Sequence, residues 1–403
     1  MSAGLRVFLF FSLGYLVSYL FRGVNIGFGP ILTQELHLSA SDLGTLTSLY
    51  FLGFSLMQIP AGIFLDTWGP RRVNAIMLLV AAAGTLVYGL SDSLAGLMVG
   101  RLLIGAGVCV CLGAAFQALA QTHPLSRLPM INGLVMAIGG LGGVLVGSPL
   151  SWALGYTSWQ VISMGLAVVT VVVSVLIWFG APREGTRHRQ APSLASQLRG
   201  TWALLCDARY WRLVSLPAMA GGVYYGVQSL WVRPYLTDVN GVDVEHAARL
   251  VSLLGFSMMA GNVGLGIMAR RMERWGLGLY GFGGVCLLLY LLTQALIVLR
   301  APIPLEILWV CYGVFGSANI LVYALLAGEF PPELLGRVAS TTNLVMFLII
   351  FACQVGMGWV VDWWPGQGGV YPPVAHVTAW GVVLALQVIA AVWYFWPGAH
   401  RRR

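Results

Sequence analysis

Long uninterrupted runs of apolar residues alternate along the chain with short polar breaks. Twelve runs approach or exceed the roughly 20 residues that an α-helix needs to cross a bilayer. They cover approximately residues 7–31, 42–65, 73–91, 95–121, 130–154, 159–180, 212–236, 247–269, 277–299, 303–328, 337–361 and 375–396. Strands of a membrane barrel would alternate apolar and polar positions instead. The pattern therefore predicts an all-α polytopic membrane protein, because helices satisfy their backbone hydrogen bonds internally in lipid.

The composition excludes a soluble globular protein. Of the 403 residues, 58% are hydrophobic and 9% are charged, whereas soluble domains carry about 25% charged residues. The six cysteines lie in or beside apolar runs without metal-ligand spacing, so we interpret them as small core residues and predict no metal site. The first run begins close to the N-terminus and lacks a small-residue cleavage site, and no removable signal peptide is expected.

The net charge of +8 comes from arginines that collect on one side of the predicted membrane. These are Arg6, Arg71, Arg72, Arg127, Arg183, Arg187, Arg189, Arg199, Arg209, Arg212, Arg270, Arg271, Arg274, Arg337, Arg401, Arg402 and Arg403. The loops of the other side carry Glu35, Asp42, Asp92, Asp238, Asp243 and Glu245. By the positive-inside rule this asymmetry predicts a multi-pass protein of the cytoplasmic (inner) membrane with both termini cytoplasmic. It also explains the positive charge without a nucleic-acid partner.

One longer polar stretch separates six apolar runs from the next six. It predicts an N-terminal six-helix bundle over 1–180, a cytoplasmic linker over 181–211 and a C-terminal six-helix bundle over 212–403. Residues 193–211 of this linker are typical of a short amphipathic helix lying on the inner leaflet. A shift of about 204 residues superimposes Pro30 on Pro234 with their flanking residues, which indicates an internal repeat. Parallel repeats around a central site are typical of transporters.

A short polar turn at 62–72 joins the second and third runs. Gly62 is expected to let two helices approach closely, and Gly69 with the proline after it forces a tight reversal. The pattern Gly-x-x-x-Asp-x-x-Gly-x-Arg-Arg resembles the signature loop between helices 2 and 3 of the major facilitator superfamily. Thr67 and Pro70 depart from it, since that family often has basic residues at these positions. The same register places a degenerate second copy at 266–276.

Three further stretches resemble the same family. Residues 100–107 look like its fourth-helix arginine motif, and 330–337 fit its loop between helices 10 and 11. Segment 139–149 has glycines at four-residue spacing, similar to the antiporter stripe, but Ser148 interrupts its Gly-Pro pair. The resemblance covers nearly the whole chain. It implies two pseudo-symmetric six-helix bundles, transport by alternating access, no enzyme activity, no cofactor and a monomer.

Arg22 stands near the middle of the first run. A charge at that depth costs at least a few kcal/mol and normally faces a cavity or a partner. Helical spacing puts Tyr15, Tyr19 and Asn25 on the same face. Because a guanidinium pairs bidentately with carboxylate or phosphate, this face predicts an anion-binding cavity. The alternative is that Arg22 donates to carbonyls of a helix broken by the glycines and the proline that follow it.

Further site residues are predicted by the resemblance, which implies that helices 1, 4, 7 and 10 line the central cavity. Besides the first-helix residues, the substrate-binding candidates are Arg101, Tyr224, Tyr225, Gln228, Trp231, Tyr312, Asn319 and Tyr323. Packing within the bundles is the alternative role for each of them. The gating candidates are Gly62, Asp66, Gly69, Arg71, Arg72, Arg270, Arg274 and Arg337. Asp66 is expected to stabilise one conformation through the second-copy loop or a helix end.

These features predict secondary active transport of a small organic anion of the carboxylate type. No acidic residue or histidine lies in the middle of a run, so the usual intramembrane proton carrier is missing. Coupled protons or a counter-anion both stay open as partners. Export of amphipathic or drug-like compounds is one alternative, favoured by an aromatic content of 12%. The other is a non-transporting membrane sensor or assembly factor, which the degenerate second motif allows.

Overall fold

The computed structural model describes residues 3–124, 127–182, 194–331, 334–366 and 370–396, which are almost entirely helical. The α-helices are α1 (Ala3–Gly23), α2 (Asn25–Leu36), α3 (Ala40–Trp68), α4 (Pro70–Gly89), α5 (Leu94–Val108), α6 (Cys111–Thr122), α7 (Leu128–Leu145), α8 (Ser148–Leu154), α9 (Trp159–Gly180), α10 (Leu194–Leu205), α11 (Ala208–Gly226), α12 (Val232–Pro234), α13 (Val244–Arg274), α14 (Leu279–Val298), α15 (Leu305–Gly316), α16 (Leu321–Glu329), α17 (Leu335–Val361) and α18 (Pro373–Phe395). The all-α prediction is confirmed over these residues.

The number of membrane-spanning helices differs slightly from the predicted twelve. Among the described residues, ten helices or joined helix pairs are long and apolar enough to cross a membrane, and the bent pair α7 and α8 makes eleven. The predicted seventh span is helical but broken, because π-helical turns at Val227–Trp231 and Tyr235–Val239 flank the three residues of α12. This predicted seventh span therefore consists of helical pieces and not of one regular α-helix.

The helices form two halves, α1–α9 and α11–α18, that meet mainly through α3 against α17 and α7 against α13. Between the halves, α10 occupies part of the predicted linker and contacts both α3 and α17. Leu194, Leu198 and Trp202 are spaced four residues apart along α10 and are exposed. Thr201 and Leu204 are buried. The helix α10 lies within the predicted linker and exposes these apolar side chains, and its position on the inner leaflet stays a prediction; residues 183–193 of the predicted linker lie outside the described part.

Both ends of the described chain lie on one face of the bundle, called here the terminal face. Gly4 packs against His123 at the end of α6, and Arg212 at the start of α11 donates to the carbonyl of Trp396. The other face, called the opposite face, carries the ends of α2, α17 and the π-helical segment and the starts of α3, α13 and α18. There, Trp159 donates to Glu35 at 2.8 Å.

The two halves are tightly packed towards the opposite face. A Cβ added to Gly44 of α3 would lie 2.5 Å from the Gln354 carbonyl oxygen of α17, and one on Gly147 would lie 2.2 Å from Ser252 Oγ. Only glycine allows such approach, because any side chain would collide with these atoms. The conformation is therefore closed at this face.

The same helices are not tightly packed at the terminal face. Among the described residues, and apart from each helix's own adjacent backbone, no atom lies within 4 Å of the Cβ positions of Gly62 on α3, Gly133 on α7, Gly266 on α13 or Gly336 on α17. The prediction that Gly62 lets two helices approach closely is therefore wrong for this conformation. The close approach of the halves occurs about five turns before Gly62 on α3, at Gly44.

Candidate functional site

A small cavity lies between the two halves, below their closed contact. Its wall includes Tyr19 and Arg22 of α1, Ile26 of α2, Val146 after α7, Gln228 of the first π-helical turn and Val251 of α13. Both halves therefore contribute to one central space, as expected for a site between pseudo-symmetric bundles.

Arg22 places its charge in this cavity. Its guanidinium carbon lies 4.6 Å from the ring centre of Tyr19, 5.4 Å from that of Tyr225 and 5.6 Å from that of Phe347. These distances are within the range of cation–π attraction. Its Nε is buried and has no hydrogen-bond partner, and no carboxylate in the described ranges forms an ion pair with it. The site thus holds a cation with aromatic neighbours and unused donor capacity.

Other arginines, and not Arg22, donate hydrogen bonds to the backbone carbonyls near the break between α1 and α2. Pro30 has no N–H, so the Ile26 carbonyl lacks its helical donor. Arg233 Nη1 donates to this oxygen at 3.0 Å and to Gly27 O at 3.4 Å. Arg101 Nη1 donates to Phe21 O at 3.0 Å. Arg233 and Arg101 therefore donate to the carbonyls of the interrupted helix. Over the residues described, no carbonyl accepts a hydrogen bond from Arg22.

The residues of the polar face predicted on the first helix do not all lie at the cavity. Tyr19 lines the cavity with Arg22. Tyr15 instead lies against Gly139 of α7, with its ring 5.8 Å from that of Tyr19. Asn25 is fully buried inside the first half, away from the cavity. The helix is interrupted at Val24, which separates Tyr19 and Arg22 from Asn25, and the residues on the two sides of this interruption face different neighbours.

Asn25 and Arg101 are held by contacts inside the first half. Asn25 donates to Thr47 Oγ1 at 2.9 Å and accepts from the Tyr88 hydroxyl at 3.0 Å. Arg101 is completely buried, with its guanidinium carbon 5.4 Å from the Tyr50 ring centre and 6.0 Å from that of Tyr88. The structure therefore does not bring either residue to the cavity. Their contacts tie α1 and α2 to α3, α4 and α5.

Of the second-half candidates, Gln228 and Tyr225 reach the site. Gln228 lines the cavity, and its amide nitrogen lies 3.7 Å from Met258 Sδ. Tyr19 donates to the same sulfur at 3.4 Å. Tyr225 approaches the guanidinium of Arg22 across the junction between the halves. These residues complete a polar and aromatic rim around Arg22.

Tyr224 and Tyr312 pack inside the second half with Tyr290. The Tyr290 hydroxyl donates to that of Tyr312 at 3.1 Å, and the ring centres of Tyr224 and Tyr312 lie 5.5 Å apart. Both residues are fully buried. The structure therefore places the two tyrosines in an aromatic core and does not bring them to the cavity.

The remaining second-half candidates also pack between helices. Asn319 donates to Gly316 O at 2.6 Å, and Tyr323 donates to Asn343 of α17. Trp231 is buried against Gly44 at the closed contact. None of these three lines the described cavity, so the alternative packing role accounts for their contacts.

The gating candidates lie at the terminal face. Gly69 has a φ of 79°, which requires glycine at this reversal. Arg71 Nη1 donates to Trp178 O at 2.6 Å and ties α4 to α9, while Arg337 packs on Gly200 of the linker helix. Asp66, Arg72 and Arg274 are exposed; the side chain of Arg270 lies outside the described part.

One polar cluster was missed by the sequence reasoning. Asp362 follows α17 and bonds to the first turn of α3, while Asp238 pairs with His376 at 3.0 Å near the start of α18. From the sequence, Asp238 is assigned only to a loop of the opposite side, and Asp362 is given no position or role. The available sequence signal was an acidic residue directly after the eleventh apolar run.

Comparisons with known proteins agree with this architecture. A family model described as Major Facilitator Superfamily matches residues 11–353. The probable sulfoacetate transporter SauU of Cupriavidus necator is 26% identical over 269 residues, which are 62% of this chain and 60% of that protein. The hexuronate transporter of Escherichia coli K12 is 22% identical over 281 residues, which are 66% of this chain and 64% of that protein. The chain thus spans less than two thirds of the length of these relatives.

Solved structures share the fold over nearly the whole chain. A bacterial homologue of the human lysosomal transporter Spinster superimposes with a TM-score of 0.76 and 17% identity, covering 98% of this chain and 97% of that one. A D-xylose–proton symporter gives a TM-score of 0.74 at 14% identity, covering 98% of both chains. The chain belongs to the Major Facilitator Superfamily, and its apolar helices make it a multi-pass membrane protein.

Proposed function

We propose that the protein transports a small organic anion of the carboxylate type across the cytoplasmic membrane by alternating access. The observation that carries this proposal is Arg22, a cation in the central cavity with an unpartnered buried Nε and no carboxylate partner among the described residues. A guanidinium presents donors in a planar fork that matches a carboxylate. The names of the relatives, a sulfoacetate and a hexuronate transporter, support the same substrate class.

Each cavity residue has a role in this proposal. Arg22 holds the carboxylate with two parallel hydrogen bonds. The hydroxyls of Tyr19 and Tyr225 and the amide of Gln228 orient the polar remainder, since these groups both donate and accept. Phe347 covers one side of the guanidinium, which lowers the local dielectric and strengthens the ion pair.

The conformation described is the one that receives substrate from the terminal face. Its halves are closed at the opposite face, where Gly44 meets Gln354, so access is from the other side. The arginines of the terminal face support a cytoplasmic orientation of that side. The state is then inward-facing, and one rocking motion of the halves exposes Arg22 to the exterior.

The direction of transport depends on coupling. Importing a monoanion against a negative-inside potential costs about 2.3 kcal/mol per 100 mV. Import therefore needs a coupled proton or exchange for another anion, whereas efflux of an anion follows the potential.

A ligand screen followed by a flux assay tests the proposal. Purified protein is melted with sulfoacetate, galacturonate, neutral xylose and a hydrophobic cation, because ligands that bind the folded state raise its apparent stability by mass action. We expect stabilisation by the anions alone, followed by counterflow of the stabilising anion in liposomes. Stabilisation only by the cation or by xylose would overturn the anion assignment. Binding without any flux would indicate a non-transporting sensor.

A further inference from the structure

A carboxylate of the second half caps a helix of the first half at the opposite face. Asp362, directly after α17, accepts from the Ala40 backbone N–H through Oδ1 at 2.9 Å and from the Ser41 N–H through Oδ2 at 2.8 Å. These are the first two residues of α3, whose N–H groups have no partner within the helix. The two oxygens of one side chain thus bind the two halves together.

Tyr371 reinforces this contact from the segment before α18. Its hydroxyl lies 2.8 Å from Asp362 Oδ1, to which it donates, and 2.9 Å from the Ala40 nitrogen, from which it accepts. The Tyr371 backbone N–H donates to Asp238 Oδ2 at 3.2 Å, and His376 Nε2 lies 3.0 Å from the same oxygen. The Asp238 and His376 side chains are only 8% and 2% exposed. A buried pair of the second half therefore positions the tyrosine.

The charge of Asp362 suits this position. Burial acts to raise the pKa of Asp362, but hydrogen bonds from Ser41, Tyr371 and Ala40 outweigh it and hold the pKa below its ordinary value. The positive end of the α3 dipole favours the same ionised form. In the closed conformation the residue is thus a carboxylate that accepts all of these bonds.

The other carboxylates around Asp362 bond within their own halves. On α3, Asp42 accepts from the Ser39 N–H at 3.1 Å and completes a capping box in its own first turn. In the second half, Tyr371 is the direct neighbour, and Asp238 and His376 lie behind it. Among these groups, Asp362 is the carboxylate whose described bonds cross between the halves.

We propose that Asp362 is the gating residue of the opposite face. α3 and α17 are the helices in closest contact there, so opening this face moves the first turn of α3 away from the end of α17. The two backbone bonds to Asp362 break in that step and form again on closure. The carboxylate thereby stabilises the conformation that is closed at this face, whatever the substrate is.

A cysteine reporter in the central cavity measures this gate directly. Val251 lines the cavity and is 2% exposed, so Val251→Cys presents a thiol that is shielded from the opposite face in the closed state. The full-length protein is labelled with a membrane-impermeant thiol reagent from each side of sealed vesicles. The same protein without Val251→Cys gives the background of its native cysteines.

We expect Asp362→Asn to raise the labelling rate from the opposite face about tenfold, which corresponds to about 1.4 kcal/mol, and to lower the rate from the terminal face. Asp243→Asn is the matched control, because Asp243 also caps a helix at this face but accepts from backbone N–H groups of its own helix, namely those of His246 and Glu245. The labelling rate of this control from each face should equal that of the protein with Val251→Cys alone. An equal rise in both variants, or no rise with Asp362→Asn, overturns the proposal.

Tyr371→Phe keeps the test decisive if Asp362→Asn does not fold. It removes a hydroxyl that bridges Asp362 and Ala40 and leaves the carboxylate in place. We expect a smaller rise in labelling from the opposite face, about two- to fivefold, as for a weakened network of about 0.5–1 kcal/mol. Labelling at the parent's rate would show that the network does not hold the gate. Because no substrate is added, these results are independent of the anion assignment.

Discussion

Replacing Arg22 with glutamine should abolish tight anion binding while leaving the protein folded. Glutamine keeps a polar side chain in the cavity but removes its cation. If an anion accepts two charge-assisted hydrogen bonds from Arg22, at about 1.5 kcal/mol each, the loss is about 3 kcal/mol. That loss corresponds to an increase in Kd of about 150-fold.

The stability of the unliganded protein should not fall in the same variant. Arg22 contacts the rings of Tyr19, Tyr225 and Phe347, and cation–π attraction contributes about 0.5–2 kcal/mol. Against this, taking a cation out of water costs several kcal/mol, and no described carboxylate offsets it. We therefore expect the melting temperature without ligand to stay the same or to rise.

Titration of the purified variants with the anion found in the ligand screen measures both effects. Arg249→Gln is the matched control, since it removes the same charge from a half-exposed side chain paired with Glu245 in its own helix. Arg22→Lys keeps the charge without the fork and should give an intermediate Kd. A parental Kd for Arg22→Gln would refute the role of this residue. If the unmodified protein binds no anion at all, the proposed function itself fails.

Three further changes probe the packing. Asn25→Ala should lower the free energy of unfolding by about 2–4 kcal/mol, measured by thermal unfolding, because it leaves two buried hydroxyls unpaired. The Kd for the anion should stay unchanged. A changed Kd without a loss of stability would show that Asn25 belongs to the binding site. Gly44→Ala should raise the labelling rate of Val251→Cys from the opposite face, because its Cβ would lie 2.5 Å from a carbonyl oxygen. Gly62→Ala should not raise this rate, because no described atom of another helix lies within 4 Å of its Cβ position. Equal effects of the two variants would contradict the asymmetric closure. The pKa of Asp362 is lowered in the closed state, so its contribution to closure is present above the ordinary value of about 3.9 and is lost as the pH falls further. Labelling relative to Asp362→Asn at the same pH should therefore rise below about pH 4, and a flat ratio would contradict this linkage.

The sequence by itself determined the class of fold. Continuous apolar runs in a chain with 9% charged residues leave only helices as membrane-spanning elements. The turn at 62–72 with its repeat 204 residues later was enough to identify the family. Arg22 could also be singled out from sequence, because a charge within an apolar run must face something other than lipid.

Only the tertiary structure decided which polar residues share the cavity with Arg22. Helical spacing placed Asn25 on its stripe, but Asn25 packs inside the first half, where Thr47 and Tyr88 are its hydrogen-bond partners. Periodicity is a local property and cannot report that a helix is broken or which neighbour meets its face.

The same limit applies to the contacts between the halves. The bonds from Asp362 to Ala40 and Ser41 join residues more than 300 positions apart. No local pattern contains such a pairing, since it depends on how the two bundles are tilted against each other. The family of the chain follows from its composition and motifs. The closed face, the cavity below it and the carboxylate that joins the halves follow from how the helices pack.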